Sequence, residues 1–206
     1  MTAGLDTTHL FAIAAALGWA SGLRLYAVVF LTGLAGSLGW VPLPSGLSVL
    51  QQPAMLWASG TLLLVEFLAD KVPWVDSLWD AVHTFIRIPA GAALAYGVFG
   101  GDQATWASVA ALLGGTLAAT AHTAKTTTRA AANTSPEPFS NIALSLAGDA
   151  LVPGMLWLSW QHPLLFFVAL AIALVVMVAV TVLLFKFLRG LAHRLRGHFV
   201  PTQAGA

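Results

Sequence analysis

VEFLADKVPWVDSLWDAVHTFIR, residues 65–87, holds seven ionisable side chains between Glu66 and Arg87: Glu66, Asp70, Lys71, Asp76, Asp80, His83 and Arg87. Charged residues make up only 8% of the chain, so this density needs a cause. Charge within a bilayer is costly, and a cluster of it marks a membrane boundary or carries function. The stretch is flanked on both sides by apolar runs, which makes it a hinge in the threading of the chain.

Working outward, six apolar segments emerge, at about 8–39, 54–70, 84–100, 104–124, 140–160 and 163–186. The chain is 58% hydrophobic with a mean hydropathy of +0.84, well beyond a soluble domain. It reads as all-α: a polytopic helix bundle of about six membrane-spanning helices, forming one integral membrane domain over 1–206. The fourth, fifth and sixth fit a span of about 20 residues, and the second and third are short, at about 17. The first is too long. Its 32 residues would reach about 48 Å against a hydrocarbon core of about 30 Å. Ser21-Gly22-Leu23-Arg24 is the expected break, because glycine and a charge both weaken a lipid-facing helix.

Orientation follows from the cations. With the basic tail (187–206) inside, six crossings put both termini in the cytoplasm. The inner loops then carry Lys71, Arg87, Lys125, Arg129, Lys186, Arg189, Arg194 and Arg196, and the outer loops carry no Lys or Arg. This satisfies the positive-inside rule. Trp40, Trp57, Trp106, Trp157 and Trp160 fall near the outer interface, Trp74 and Trp79 near the inner one, and Trp19 lies deep. The start, MTAGLDTTHL, lacks a basic n-region, so a cleaved signal peptide is not expected. Three plus three spans would set halves 1–100 and 101–206 in opposite orientations, as in inverted-repeat transporters. AAALGWASG (14–22) loosely resembles AALLGGTLA (110–118). Gly18-x-x-x-Gly22 and Gly97-x-x-x-Gly101 have the spacing of close helix packing, read as intramolecular.

Two sets of polar residues stand out as candidates. Arg24 and Asp149 both fall near mid-membrane, where each alone would be costly and a pair would satisfy both. They are read as a structural lock or as part of a substrate or ion pathway with Glu66, Asp70, Asn141 and Ser145. The second set is the inner-face stripe of Asp76, Asp80, His83 and Arg87, at spacings of four, three and four. That stripe could hold a divalent cation at Asp76, Asp80 and His83, or relay protons. Equally, it could be an amphipathic interfacial helix with local charge pairing. Lys125 and Arg129 follow His122 on one face of the fourth segment, suited to setting topology or meeting lipid phosphates. Asn133-Thr134-Ser135 fits a glycosylation sequon but falls on the inner side, and the loop it opens supplies turn residues.

At these positions the chain resembles a bacterial multi-pass membrane family, domain of unknown function family 4126. The resemblance rests on three blocks. The first is Gly22-Leu23-Arg24. The second runs from Glu66 through Asp70, Lys71, Pro73, Asp76, Asp80 and His83 to Arg87. The third is Asn141, Ser145 and Asp149. Gly148 departs from the acidic residue expected beside Asp149. The resemblance implies fold and location and carries no activity.

The expected function is a small solute, ion or proton transporter or channel in the bacterial inner membrane. The alternatives are a membrane enzyme or flippase acting on a lipid phosphate, and a non-catalytic membrane scaffold. No recognised catalytic motif is present, so catalysis is not favoured. No cofactor is expected beyond the divalent cation considered above. The expected partners are the lipid bilayer, a small solute or ion and a second copy of the chain. A net charge of +1 gives no reason for a nucleic-acid partner.

Overall fold

A computed structural model describes residues 5–100, 103–134 and 139–199, except for the side chains of Pro73, Trp74, Asp76, Ser77, 191, 192 and 194–199. The described chain is all-helical. The order is α1 (Thr7–Ser37), a short 3-10 helix (Ser45–Gln51), α2 (Pro53–Ala69), α3 (Pro73–Phe99), α4 (Ala104–Ala132), α5 (Phe139–Gln161) and α6 (Pro163–Phe199). Proline starts α2, α3 and α6, where its missing N–H costs nothing and its fixed φ suits the first turn. Asp6 caps α1 by accepting the His9 N–H at 2.9 Å, and that bond holds its carboxyl below the usual range.

Five helices are long and apolar enough to cross a membrane, and six if the 3-10 helix and α2, bent by 69°, count as one broken span. The protein is a multi-pass membrane protein. α3 begins eleven residues before the third apolar segment, because its first turns carry the charged stripe that hydropathy cannot see.

The break in α1 falls at Arg24, whose backbone leaves the helix at φ −146°, ψ 81°. It does more than kink. Before it, Phe11 packs on Phe99 and Trp106, and Gly18 lies against Gly91 and Gly114. Residues 7–23 therefore run beside α4 and opposite to α3. A straight continuation from Tyr26, which bonds His83, would carry Gly33 about 10 Å further from Gly97. Instead Gly33 packs on Leu50, and the same 3-10 helix lays Gly46 against Gly97. Trp160, at the end of α5, donates its indole N–H to the Pro42 carbonyl at 3.2 Å. Residues 25–37 thus return alongside α5, and α1 is a V with Arg24 at its apex.

Broken backbone at membrane depth survives only where protein covers it. That condition is met: 78% of the most apolar window of α1 is buried, against 6% for α6. α1 is the core, walled by the other helices. Glycine makes its approach to α4 possible. A Cβ on Gly18 would overlap the Gly114 backbone, and one on Gly22 would overlap the Ala118 carbonyl. The stretches 14–22 and 110–118 therefore lie side by side and run in the same direction. Gly97 packs on Leu47, while its sequence partner Gly101 lies outside the described residues.

A first segment that folds back adds no net crossing. Thr7 and Ser37 both lie at the tryptophan-rich end, near Trp40, Trp106 and Trp160. α6 runs from that end past Met177 and Val180 toward Arg129. Thr7 and the far end of α6 thus lie at opposite ends of the described bundle.

Candidate functional site

The apex of the V gathers the charges. Arg24 meets Asp70 (NH1 to Oδ2, 2.8 Å) and Asp149 (Nε to Oδ1, 2.8 Å), and its NH2 donates to the Ser145 hydroxyl at 2.8 Å. Asp70 is the C-cap of α2, placed there by the turn that Pro73 forces. Ser145 and Asp149 are four apart on α5, so one face of that helix presents both. Arg24 is 2% exposed and Asp70 fully buried.

A second centre lies on α3. Arg87 bridges Glu66 (2.6 Å) and Asp80 (2.6 Å), and both Arg87 and Glu66 are fully buried. α4 joins the two centres. Lys125 reaches Asp80 at 3.0 Å and Asp70 at 3.4 Å, and Arg129 reaches Asp70 Oδ2 at 3.6 Å and the Asp70 carbonyl at 3.0 Å. Arg129 also approaches Asn141 Oδ1 at 3.5 Å. The result is one connected network from Glu66 through Arg87, Asp80, Lys125 and Asp70 to Arg24 and Asp149. Its carboxylates are Glu66, Asp70, Asp80 and Asp149, and its cations are Arg24, Arg87, Lys125 and Arg129. The charges balance, which is what lets them sit buried together.

Two histidines border the network, and their tautomers follow from their partners. Thr84 gives its one hydroxyl proton to the Asp80 carbonyl at 2.9 Å. His122 Nε2, 2.7 Å from the same hydroxyl, must therefore donate, which leaves Nδ1 to accept from Arg87 NH1 at 3.3 Å. His83 Nδ1 faces the Trp79 carbonyl at 2.7 Å and so carries a proton, and Nε2 accepts from the Tyr26 hydroxyl at 2.9 Å. The His83 ring stacks on Trp79 at 4.2 Å.

The expected pathway residues Arg24, Glu66, Asp70, Asn141, Ser145 and Asp149 thus fall into one region with Asp80, Arg87, Lys125 and Arg129. The stripe on α3 is not a solvated interfacial face. Asp80, His83 and Arg87 are buried, and Asp80 pairs with Arg87 rather than with His83. Lys125 and Arg129 turn toward Asp70 and Asp80 and not to an outer lipid surface. Among the described residues no group of three or more His, Asp or Glu is placed to hold a metal ion. Asp80 is occupied by two cations and His83 by Tyr26 and Trp79, while the Asp76 side chain lies outside the described residues. The side chains of Arg194 and Arg196 and the loop residues 135–138 also lie outside them. Sequence reasoning missed Tyr26 and Thr84, and it placed His122 on one face with Lys125 and Arg129 without finding its partners Thr84 and Arg87. The three-and-four spacing of His122, Lys125 and Arg129 was the available signal.

Three cavities follow α5 in succession. One of about 220 Å³ lies between α1, α4, α5 and α6, with Arg24, Asp70, Lys125 and Arg129 in its lining. The next, about 470 Å³, is bounded by Arg24, Asp149, Leu31, Phe67 and Pro153. A third, about 400 Å³, shares Leu31 and Pro153 and reaches Trp40, Trp157 and Trp160. Arg24 lines both of the first two. Pro153 withholds the N–H that would bond the Asp149 carbonyl within α5, which leaves that carbonyl without its helical partner.

No curated protein and no solved structure matches this chain. A family profile does, over residues 11–182, which takes in α1 from Phe11 onward, α2 to α5 and the first half of α6 with every member of the charge network. The chain belongs to the family described as Domain of unknown function (DUF4126).

Proposed function

We propose that this protein is a small transporter or channel for an ion, proton or small solute in the bacterial inner membrane, with the Lys- and Arg-rich end of the bundle in the cytoplasm. The observation that carries the reading is Arg24. It is held at a helix break inside the bundle, and it separates two cavities while lining both. Interrupted helices whose broken ends lie at mid-membrane are the recurrent way to build a solute site there. Asp149 completes the barrier from α5. It is the most exposed member of the pair, at 26% for its side chain, and its only ion-pair partner among the described residues is Arg24. Asp149 is therefore the group that can leave the pair at least cost.

The test is flux through purified protein in liposomes, scanned over protons, halides, phosphate and divalent cations. One or more should move, and Asp149→Asn should change that flux severalfold while the thermal midpoint shifts little. Silence across the panel overturns the reading and leaves a scaffold held by buried ion pairs.

A further inference from the structure

The charges of the buried network cancel one another, but those at the far end of α6 do not. Residues 150–206 contain no Asp or Glu, while Lys186, Arg189, Arg194 and Arg196 all fall within 186–196. Lys186 and Arg189 are exposed, and neither has an ion-pair partner among the described residues. α6 also outruns the bundle. Val180 lines the same cavity as Arg129, yet α4 ends at Ala132, whereas α6 continues to Phe199, about 28 Å of helix past Val180. From Val182 to Gly190 every residue but Leu184 and Leu188 is exposed, Phe185 and Phe187 among them. The depth of this stretch follows from helix geometry. α6 starts at Pro163, just after Trp157 and Trp160 of the tryptophan-rich end. At 1.5 Å per residue, Lys186 lies about 35 Å along the helix and Arg189 about 39 Å. A tilt of about 20° shortens these depths by only about 2 Å. The hydrocarbon core is about 30 Å thick, and the bilayer with its headgroups about 40–45 Å. Both cations therefore stand in the headgroup layer of the opposite leaflet, with the exposed phenylalanines at the edge of its acyl chains.

We infer that this end of α6 is a docking surface for anionic phospholipid, gathering negatively charged headgroups around Lys186 and Arg189 in preference to zwitterionic ones. Cations at the end of a membrane helix attract anionic lipid, by roughly fivefold in affinity for each Lys or Arg near the surface. A free ammonium and a free guanidinium can also bond headgroup phosphate directly. No carboxylate on α6 competes for them, because the helix has none. The charges of Arg194 and Arg196, next in the sequence, add to the same field. The effect goes beyond setting topology, since it selects which lipid lies beside α6. Docking of this kind needs no transport, so silence in the flux assay leaves it intact.

The experiment uses the full chain in phosphatidylcholine nanodiscs carrying spin-labelled phosphatidylglycerol or spin-labelled phosphatidylcholine. Both lipids bring a phosphate, so a difference between them reports net charge. A nanodisc exposes both faces, so the direction of insertion does not enter. The immobilised fraction should be larger for phosphatidylglycerol. The difference should shrink as salt rises from about 0.01 M to 1 M, which shortens the screening length from about 30 Å to 3 Å. Lys186→Gln combined with Arg189→Gln should lower the preference severalfold while the thermal midpoint is retained, because both side chains are exposed. Lys186→Arg combined with Arg189→Lys keeps both charges and should keep the preference. Equal immobilisation of the two lipids at low salt overturns the inference and leaves the cations as a topology signal or a dock for an acidic protein. A preference that the double Gln variant leaves intact also overturns it, as does one that persists in 1 M salt or is lost equally in the charge-conserving variant.

Discussion

Arg87 is a single side chain answering two buried carboxylates, Glu66 and Asp80, on two different helices. Arg87→Met keeps the apolar stem and removes the charge, leaving both partners without it. Breaking a buried pair in this way costs about 3–5 kcal/mol. Unfolding in mild detergent should show that loss, and adding Glu66→Gln should recover part of it, because the neutral amide no longer needs a cation. Additive losses in the double mutant would mean that the two side chains are not coupled. How much of this was legible differs from residue to residue. Arg24 and Asp149 could be paired on paper, since each stood alone in an apolar segment and only an opposite charge could explain it. The pairing of Asp70 with Lys125 could not be read, because it depends on how α4 is rotated about its axis. Asp80, His83 and Arg87 share a face in any helix, but whether that face meets solvent or Glu66 is decided by the turn at Pro73.

At the scale of elements, the approach of α1 to α4 is the constraint that fixes the core. Gly18 faces backbone atoms of Gly114, which cannot yield as a flexible side chain would. Gly18→Leu should therefore cost at least about 1–3 kcal/mol, the usual penalty for overpacking, and lower the thermal midpoint and the yield of folded protein. Gly154→Ala is the control, since nothing lies within 4 Å of a Cβ there. A midpoint unchanged by Gly18→Leu would show that the two helices are further apart than described. Hydropathy located the helices well because burial in lipid and burial in protein both select apolar residues. The apolar segment alone starts late for α3, because a polar face satisfied inside the bundle has no hydropathic signature, and it was the four-three-four spacing of Asp76, Asp80, His83 and Arg87 that carried the helix back to the inner interface. The break in α1 was visible in the glycine and arginine at 22–24. Its fold-back was not, because reversal depends on the 3-10 helix meeting both Gly33 and Gly97, and local sequence does not encode that meeting.

For the whole molecule, the V in α1 decides how the bundle sits in its membrane. Charge counting assigned the basic end to the cytoplasm, and that count is unaffected by the fold-back. What changes is parity. If α1 returns to its own side, α2 to α6 make five passes with the bent pair counted as one, and the two ends of the helical chain are expected on opposite faces. The sequence contains no cysteine, so single cysteines report position without background. Thr8 and Ser37 are exposed at the two ends of α1, and Thr134 is exposed just beyond α4 at the other end of the bundle. In oriented membrane vesicles, Thr8→Cys and Ser37→Cys should react with a membrane-impermeant thiol reagent from one side, and Thr134→Cys from the other. Six full crossings predict a different pattern, with Thr8 and Thr134 labelled together and Ser37 opposite. The two patterns share no assignment of Thr8 relative to Ser37, so that single comparison separates a re-entrant first helix from a spanning one. It also decides whether Arg24 lies at the bottom of a V reached from the tryptophan-rich face, as the two-cavity barrier requires, or midway along a helix that passes through.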